Sequence, residues 1–431
     1  MGKKTAPRIT PATKKVPQKK SLPLPKWITF KTAGILCCIL AVFAIGIIVG
    51  RKSTEHPVPD GMSSVGSINV KPGPWGNLLY LPITISAPEA ILKVTGVEEE
   101  SVQWVFEGYS RASLARVLGS SGVSAELQNA LLNSPSPSGS QNNLVLNPSR
   151  ETVDKLASSG ALASVYKILG KSRGNEQCKW PVLVKNVDKF RDLGISGATT
   201  SLLKKMSCQA GNFLVCYCMP YVLAAIPAYE EKVSLIKALS RQETMLLRMK
   251  ITPETNVDAL VSYWGKGRRS SNVRALLESL KNLPNGGTLS VAQLLPTLPT
   301  SLLYTFPMPQ NKIIGTTPTQ NCSWTAMNFF CDSQPDPKLS DANVVVATLQ
   351  KDYYTVQSDP EFGDVAVFVT PDNLMVHLAV YIADDIVYTK NGPGLQHPWI
   401  FSHISDLLES YSFVIEPGQK LSVTYFRKKI F

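Results

Sequence analysis

Asn321-Cys322-Ser323-Trp324-Thr325-Ala326-Met327-Asn328-Phe329-Phe330 is followed by Gly363-Asp364-Val365-Ala366-Val367-Phe368 and then by His377-Leu378-Ala379-Val380-Tyr381-Ile382. A cysteine opens an apolar run that suits a helix, a Gly-Asp turn leads into a strand, and a histidine heads a second strand. This order predicts an α+β fold in which a helix carrying a thiol packs on an antiparallel sheet. It also suits nucleophilic chemistry. The thiolate is the reactive form, a helix N-terminus favours its negative charge, and an imidazole from the sheet can take and return the proton.

The stretch resembles the NlpC-type papain-like cysteine peptidases of bacterial cell walls. Asn321-Cys322, Gly363-Asp364-Val365-Ala366-Val367-Phe368 and His377-Leu378-Ala379-Val380-Tyr381 match that family's motifs in order and spacing, over the last quarter of the chain. Asn321 stands where the family carries an acid, and Trp324 where it carries glycine. The family's third polar group belongs on the next strand, which here reads Ile386-Val387-Tyr388-Thr389-Lys390-Asn391-Gly392 and has no histidine. Thr389 or Asn391 is left to orient the ring, as an amide does in papain-like sites.

The resemblance implies that Cys322 attacks an amide carbonyl, that His377 relays the proton, and that the Cys322 backbone amide helps form an oxyanion hole. It further implies a peptidoglycan stem peptide as substrate, cut at a D-Glu-linked bond, with no metal or organic cofactor. Two alternatives stay open. One is a catalytically weakened papain-like binding or scaffold domain of the cell envelope. The other is a related acyltransferase, in which an amine or lipid replaces water.

Around this stretch, Ser405 to Tyr411 reads as a helix, and Phe413 to Ile415 and Leu421 to Phe426 as two last strands. His397 and His403 are expected at the surface. The domain resembling NlpC is placed at 311–431, after the connectors at Pro296, Pro299, Pro307, Pro309 and Pro318. Residues 75–310 are expected to form an α-rich extracytoplasmic module that either spaces the C-terminal domain or offers a surface to an envelope protein. Leu78 to Ser86 alternates as a strand would. Helices are expected over Glu230 to Met249, Val257 to Trp264 and Asn272 to Leu283, and Ser290-Val291-Ala292-Gln293 reads as a capping box. Cys178, Cys208, Cys216 and Cys218 are expected as buried thiols or one disulfide, such as Cys208 with Cys216, rather than a zinc site.

The net charge of +12 is located at one end. Residues 1–31 hold nine of the 44 basic residues and no acid, which leaves 35 basic and 32 acidic groups on the other 400 residues. The basicity is therefore that of a disordered tail, and no nucleic-acid-binding motif accompanies it. Residues 32–50 follow without a charge, long enough as a helix (about 28 Å) to cross a bilayer core. The basic tail before them predicts a single-pass anchor in the bacterial inner membrane, N-terminus in the cytoplasm and C-terminal domain periplasmic. Residues 51–74, rich in Pro and Gly, read as a linker.

Overall fold

The computed structural model describes residues 66–89, 91, 103–136, 143–169, 172, 175, 182–210, 212–216, 219–307, 320–332, 334–415 and 418–429. The basic tail, the span expected over 32–50, Cys178 and Cys218 lie outside the described residues. Among the described residues no helix is long and apolar enough to cross a membrane. Helices alternate throughout with antiparallel sheets. The expected α-rich middle is corrected: its helices are interleaved with three antiparallel sheets.

The middle region carries strands from its start. β1 (Ile68–Asn69) and β2 (Asn77–Ile85) pair first. An insertion follows with β3 (Trp104–Glu107), α1 (Arg111–Ser120), α2 (Ala125–Leu132), β4 (Asn143–Leu146), α3 (Arg150–Ser158), α4 (Leu162–Leu169), β5 (Val182–Val184), α5 (Gly197–Lys205), β6 (Ser207–Ala210), β7 (Phe213–Cys216), α6 (Met219–Ala224) and α7 (Tyr229–Leu239). Ser110, Ser124, Ser149 and Ser196 each cap a helix there, accepting a backbone N–H in its first turn. The insertion closes around its own core, in which Trp104, Phe106, Leu114, Leu156, Val165 and Leu203 are buried together. Its two sheets are β3–β4 and β5–β7–β6. Cys208 and Cys216 sit on neighbouring strands there, and no disulfide joins them.

β8 (Gln242–Ile251) returns the chain to β2 over nine paired residues. The helix expected over Glu230 to Met249 therefore ends at Leu239, and its second half is strand. Met, Leu, Arg and Lys favour helices, but Met245, Leu247, Met249 and Ile251 alternate into the core, and that period decides. After α8 (Val257–Trp264) and α9 (Ser270–Lys281), β9 (Gly287–Ser290) completes a sheet in the order β1–β2–β8–β9. Ser290 makes no side-chain cap; Val291–Leu294 is one 3₁₀ turn, and α10 (Thr297–Leu302) follows.

The C-terminal part holds α11 (Cys322–Met327), α12 (Ala342–Asp352), β10 (Tyr353–Thr355), β11 (Val365–Val369), β12 (Met375–Ala383), β13 (Ile386–Lys390), β14 (Trp399–His403), α13 (Ile404–Ser410) and β15 (Ser422–Lys428). The sheet order is β10–β15–β11–β12–β13–β14, antiparallel throughout. The strand expected at Phe413 to Ile415 is instead a 3₁₀ turn over Ser412–Val414, and it caps α13 without joining the sheet.

The two large sheets share one core. Leu78, Met249, Trp264 and Leu289 are buried in the same cluster as Trp324, Phe362, Val380 and Phe401. Polar contacts cross the same junction. The Thr244 hydroxyl donates to the Phe401 carbonyl at 2.8 Å, Tyr263 to Ile382 at 2.8 Å, and Tyr304 N–H to Trp399 at 2.7 Å. Residues 242–303 are thus part of the fold that carries the thiol.

Trp264 reports on this junction. It is fully buried, donates Nε1–H to the Trp75 carbonyl at 3.1 Å and lies 5.0 Å from the Phe362 ring. Trp264→Ala should cost about 3–5 kcal/mol. In denaturant, far-UV circular dichroism should show both sheets lost in one transition; a C-terminal sheet that melts separately would contradict the shared core.

Candidate thiol site

α11 starts where Asn321 caps it. The Asn321 side chain accepts the Trp324 N–H at 2.9 Å and donates to the Ser340 carbonyl at 3.0 Å. Six residues form the helix, and Cys322, Ser323, Trp324, Thr325 and Ala326 are all buried. Trp399 of β14 donates Nε1–H to the Thr325 hydroxyl at 3.0 Å, and its ring lies 6.4 Å from that of Trp324. Trp324 is therefore packing, held on the sheet by a second tryptophan.

Cys322 lies against β12 where β12 and β13 stop pairing: their register ends at Val380 opposite Tyr388. Burial pushes the thiol pKa up. Against it, in falling order, act the Leu378 N–H, the Ser323 hydroxyl and N–H, and the charge of Lys390. The Ser323 hydroxyl is 4.0 Å from Sγ. The expected lowering of this pKa by the helix start is absent; burial outweighs it.

His377 is fully buried and stacks on Tyr411, ring centres 4.6 Å apart, with Phe368 edge-on at 5.4 Å. Its Nε2 is 2.8 Å from the Thr389 hydroxyl, which in turn donates to Asn391 Oδ1 at 3.4 Å. That direction leaves the proton on Nε2 and makes Nδ1 a bare acceptor. Nδ1 is buried and has no hydrogen-bond partner. Burial holds the ring pKa down at about 3.

The structure thus brings His377, Thr389 and Asn391 together in one chain of hydrogen bonds. It does not join them to Cys322. Side chains alternate across a strand. Leu378 and Val380 face the core that holds Trp324, whereas Ala379 packs on the other side with Phe368 and Tyr411, the two rings that contact His377. The Trp324 side of α11 and the imidazole therefore belong to opposite faces of β12, while Cys322, at the helix start, is near enough to Tyr411 for its charge to add to the burial that raises the Tyr411 pKa.

Lys390 was not among the residues singled out from the sequence. It is fully buried at the end of β13, on the face of Tyr388 rather than that of Thr389. Its ammonium donates to the carbonyls of Gly392 at 2.6 Å and Gly394 at 3.1 Å and lies 5.7 Å from the Trp399 ring centre. Burial lowers its pKa to about 7, opposed by the charge of Cys322. Its signal was legible: in Ile386-Val387-Tyr388-Thr389-Lys390 the lysine has the inward parity of Ile386 and Tyr388. Gly392 takes φ +123° and lies under the His397 ring, a close approach that a side chain would block. His397, expected at the surface, has a buried Nδ1 without a partner. His403 pairs with Asp385 at 2.9 Å, which raises its pKa.

Asp364 is structural. Its carboxylate accepts the Glu361 N–H at 2.7 Å and two Arg427 guanidinium hydrogen bonds at 2.8 and 2.7 Å. Among the described residues no cluster of His, Cys, Asp and Glu could hold a metal. No family model, no curated protein and no solved structure matches the chain.

The histidine makes a testable contribution. With a folded pKa near 3 against 6.5 when unfolded, His377 binds fewer protons in the native state. Its stabilisation is present above pH 6.5 and is lost as pH falls towards 3, by up to about 1.4 kcal/mol per pH unit. Between pH 6.5 and 5 the stability measured in urea should therefore fall more steeply for the native chain than for His377→Asn. Thr389→Val, which leaves both ring nitrogens without a partner, should cost about 1–3 kcal/mol at pH 7, and Asn391→Ala less.

Proposed function

We propose that the chain is a thiol hydrolase of amide bonds with Cys322 as its nucleophile. The observation that carries this reading is the set of donors around one sulfur. The Leu378 and Ser323 N–H groups, the Ser323 hydroxyl and the Lys390 charge all favour a negative sulfur at the head of a capped helix. A buried structural thiol needs none of these, because it behaves as a small apolar side chain. A thiolate attacking a carbonyl needs them all.

The order of the capped cysteine helix, the Gly-Asp strand and the histidine strand supports peptides as the substrate class. The likeness to NlpC-type peptidases supports a cell-wall stem peptide and a place in the bacterial envelope. In the state described the thiol is protonated and covered, so substrate must open the site before attack.

A second reading is favoured by one observation. His377 is sealed under Tyr411 and hydrogen-bonded to Thr389 rather than to the thiol, as suits a papain-like binding domain whose histidine has become part of the core. Digestion of purified peptidoglycan separates the two. New amino groups should appear with the native chain, and Cys322→Ala should lower their rate at least about 10³-fold, the scale on which an enzyme depends on its nucleophile. Binding of the same material with no cleavage by either protein would establish the second reading.

A further inference from the structure

Lys390 is a cation with no exposed surface and, among the described residues, no carboxylate to pair with. A buried charge without a partner is expensive, and such groups neutralise or find a counter-charge. Two carbonyls, those of Gly392 and Gly394, accept hydrogen bonds from Nζ. They satisfy both N–H bonds of a neutral amine; only the ammonium has a third to place.

Its position points to the acceptor. Lys390 ends β13 two residues past the last pair, Val380 with Tyr388, and two residues past the same pair on β12 the Leu378 N–H faces the Cys322 sulfur. Lys390 lies against the Trp399 ring, and Trp399 is hydrogen-bonded to Thr325, one turn along α11 from Cys322. Lysine and thiol thus meet near the start of α11, and His377 is hydrogen-bonded instead to Thr389.

We propose that Lys390 is the proton partner of Cys322: its neutral amine takes the proton from Sγ, and the resulting ammonium stands beside the thiolate. One proton moves from sulfur to nitrogen, and nothing is oxidised or reduced. The inference deepens the thiol-hydrolase reading by giving Lys390 the role the sequence offered to His377. The groups that face the pair are His397, whose pKa burial and then the Lys390 charge lower, and Tyr411, whose pKa burial and then the Cys322 charge raise. Burial brings the lysine to about 7, close to where a proton acceptor works best at neutral pH.

The test is reciprocal titration of the full chain, without substrate. The Cys322 thiolate is followed by its ultraviolet absorbance, as the difference between the native chain and Cys322→Ala. The Lys390 amine is followed by NMR with isotope-labelled lysine. Lys390→Met should shift the thiol midpoint upward by a unit or more, about a tenfold fall in thiolate at neutral pH, and Lys390→Arg should hold it near the native value. His377→Asn should leave it in place. Cys322→Ala, a small deletion that spares the lysine, should lower the Lys390 midpoint, and this arm stands if Lys390→Met does not fold. An unmoved lysine midpoint in Cys322→Ala, or a thiol midpoint that follows His377 and ignores Lys390, overturns the proposal. Linked titration without amide cleavage would remove the hydrolase reading and keep the pair; cleavage without linkage would do the reverse.

Discussion

Asp364 has no exposed surface, and a carboxylate so placed is tolerated only with a partner. Arg427 supplies it through a two-point fork and reaches Glu361 as well, while Glu361 also holds Lys266 from the segment after α8. This knot joins the Gly363-Asp364 turn, the end of β15 and the first half of the fold. It pins β11 between β15 and β12 in one register. A slip of one residue would exchange every side chain between the two faces. The register therefore decides that Leu378 and Lys390 meet the thiol helix and that His377 meets Tyr411. The surroundings of the sulfur depend on an ion pair that never touches it.

The site's buried polar groups lie in two surroundings. In one, an imidazole donates through Thr389 to Asn391 and is otherwise wrapped in aromatic rings, which keeps it neutral. In the other, a sulfur is met by backbone and hydroxyl donors and by a lysine that has no carboxylate partner among the described residues. Burial acts against charge in both places, but only the second offers compensation for it. A thiol and an amine that can share one proton tolerate a dry site better than a lone ion, because either neutral form is available.

Much of the C-terminal sheet could be read from the chain. Asn321 as a cap, the turn at Gly363 with φ +88°, and the alternation of β11 and β12 are local signals, and local geometry expresses them directly. The alternation was also enough to place Lys390 inward, though a charged residue at a strand end reads as an edge until its neighbours are known. What could not be read was which side of the sheet each helix would cover. Spacing places Cys322 and His377 in order along the chain, but order does not fix faces; that depends on the crossing of α11 and α13 over opposite sides. The strand at β8 was hidden by residues that favour helices, and its period appears once Leu78 and Leu289 flank it. The pairing of β2 with β8 is non-local, so no window of sequence contains it.

That pairing has a consequence during synthesis. β2 leaves the ribosome with only β1 as a neighbour, and about 160 residues of insertion must follow before β8 appears, on the order of 10–30 s at ordinary translation speeds. Through that interval a nine-residue strand waits with its inner face uncovered. The insertion, with a core of its own, can fold meanwhile and bring the two ends of the gap together. It then acts as an internal folding aid for the sheet that supports the thiol, and the order of translation makes it the first part of the molecule to become native.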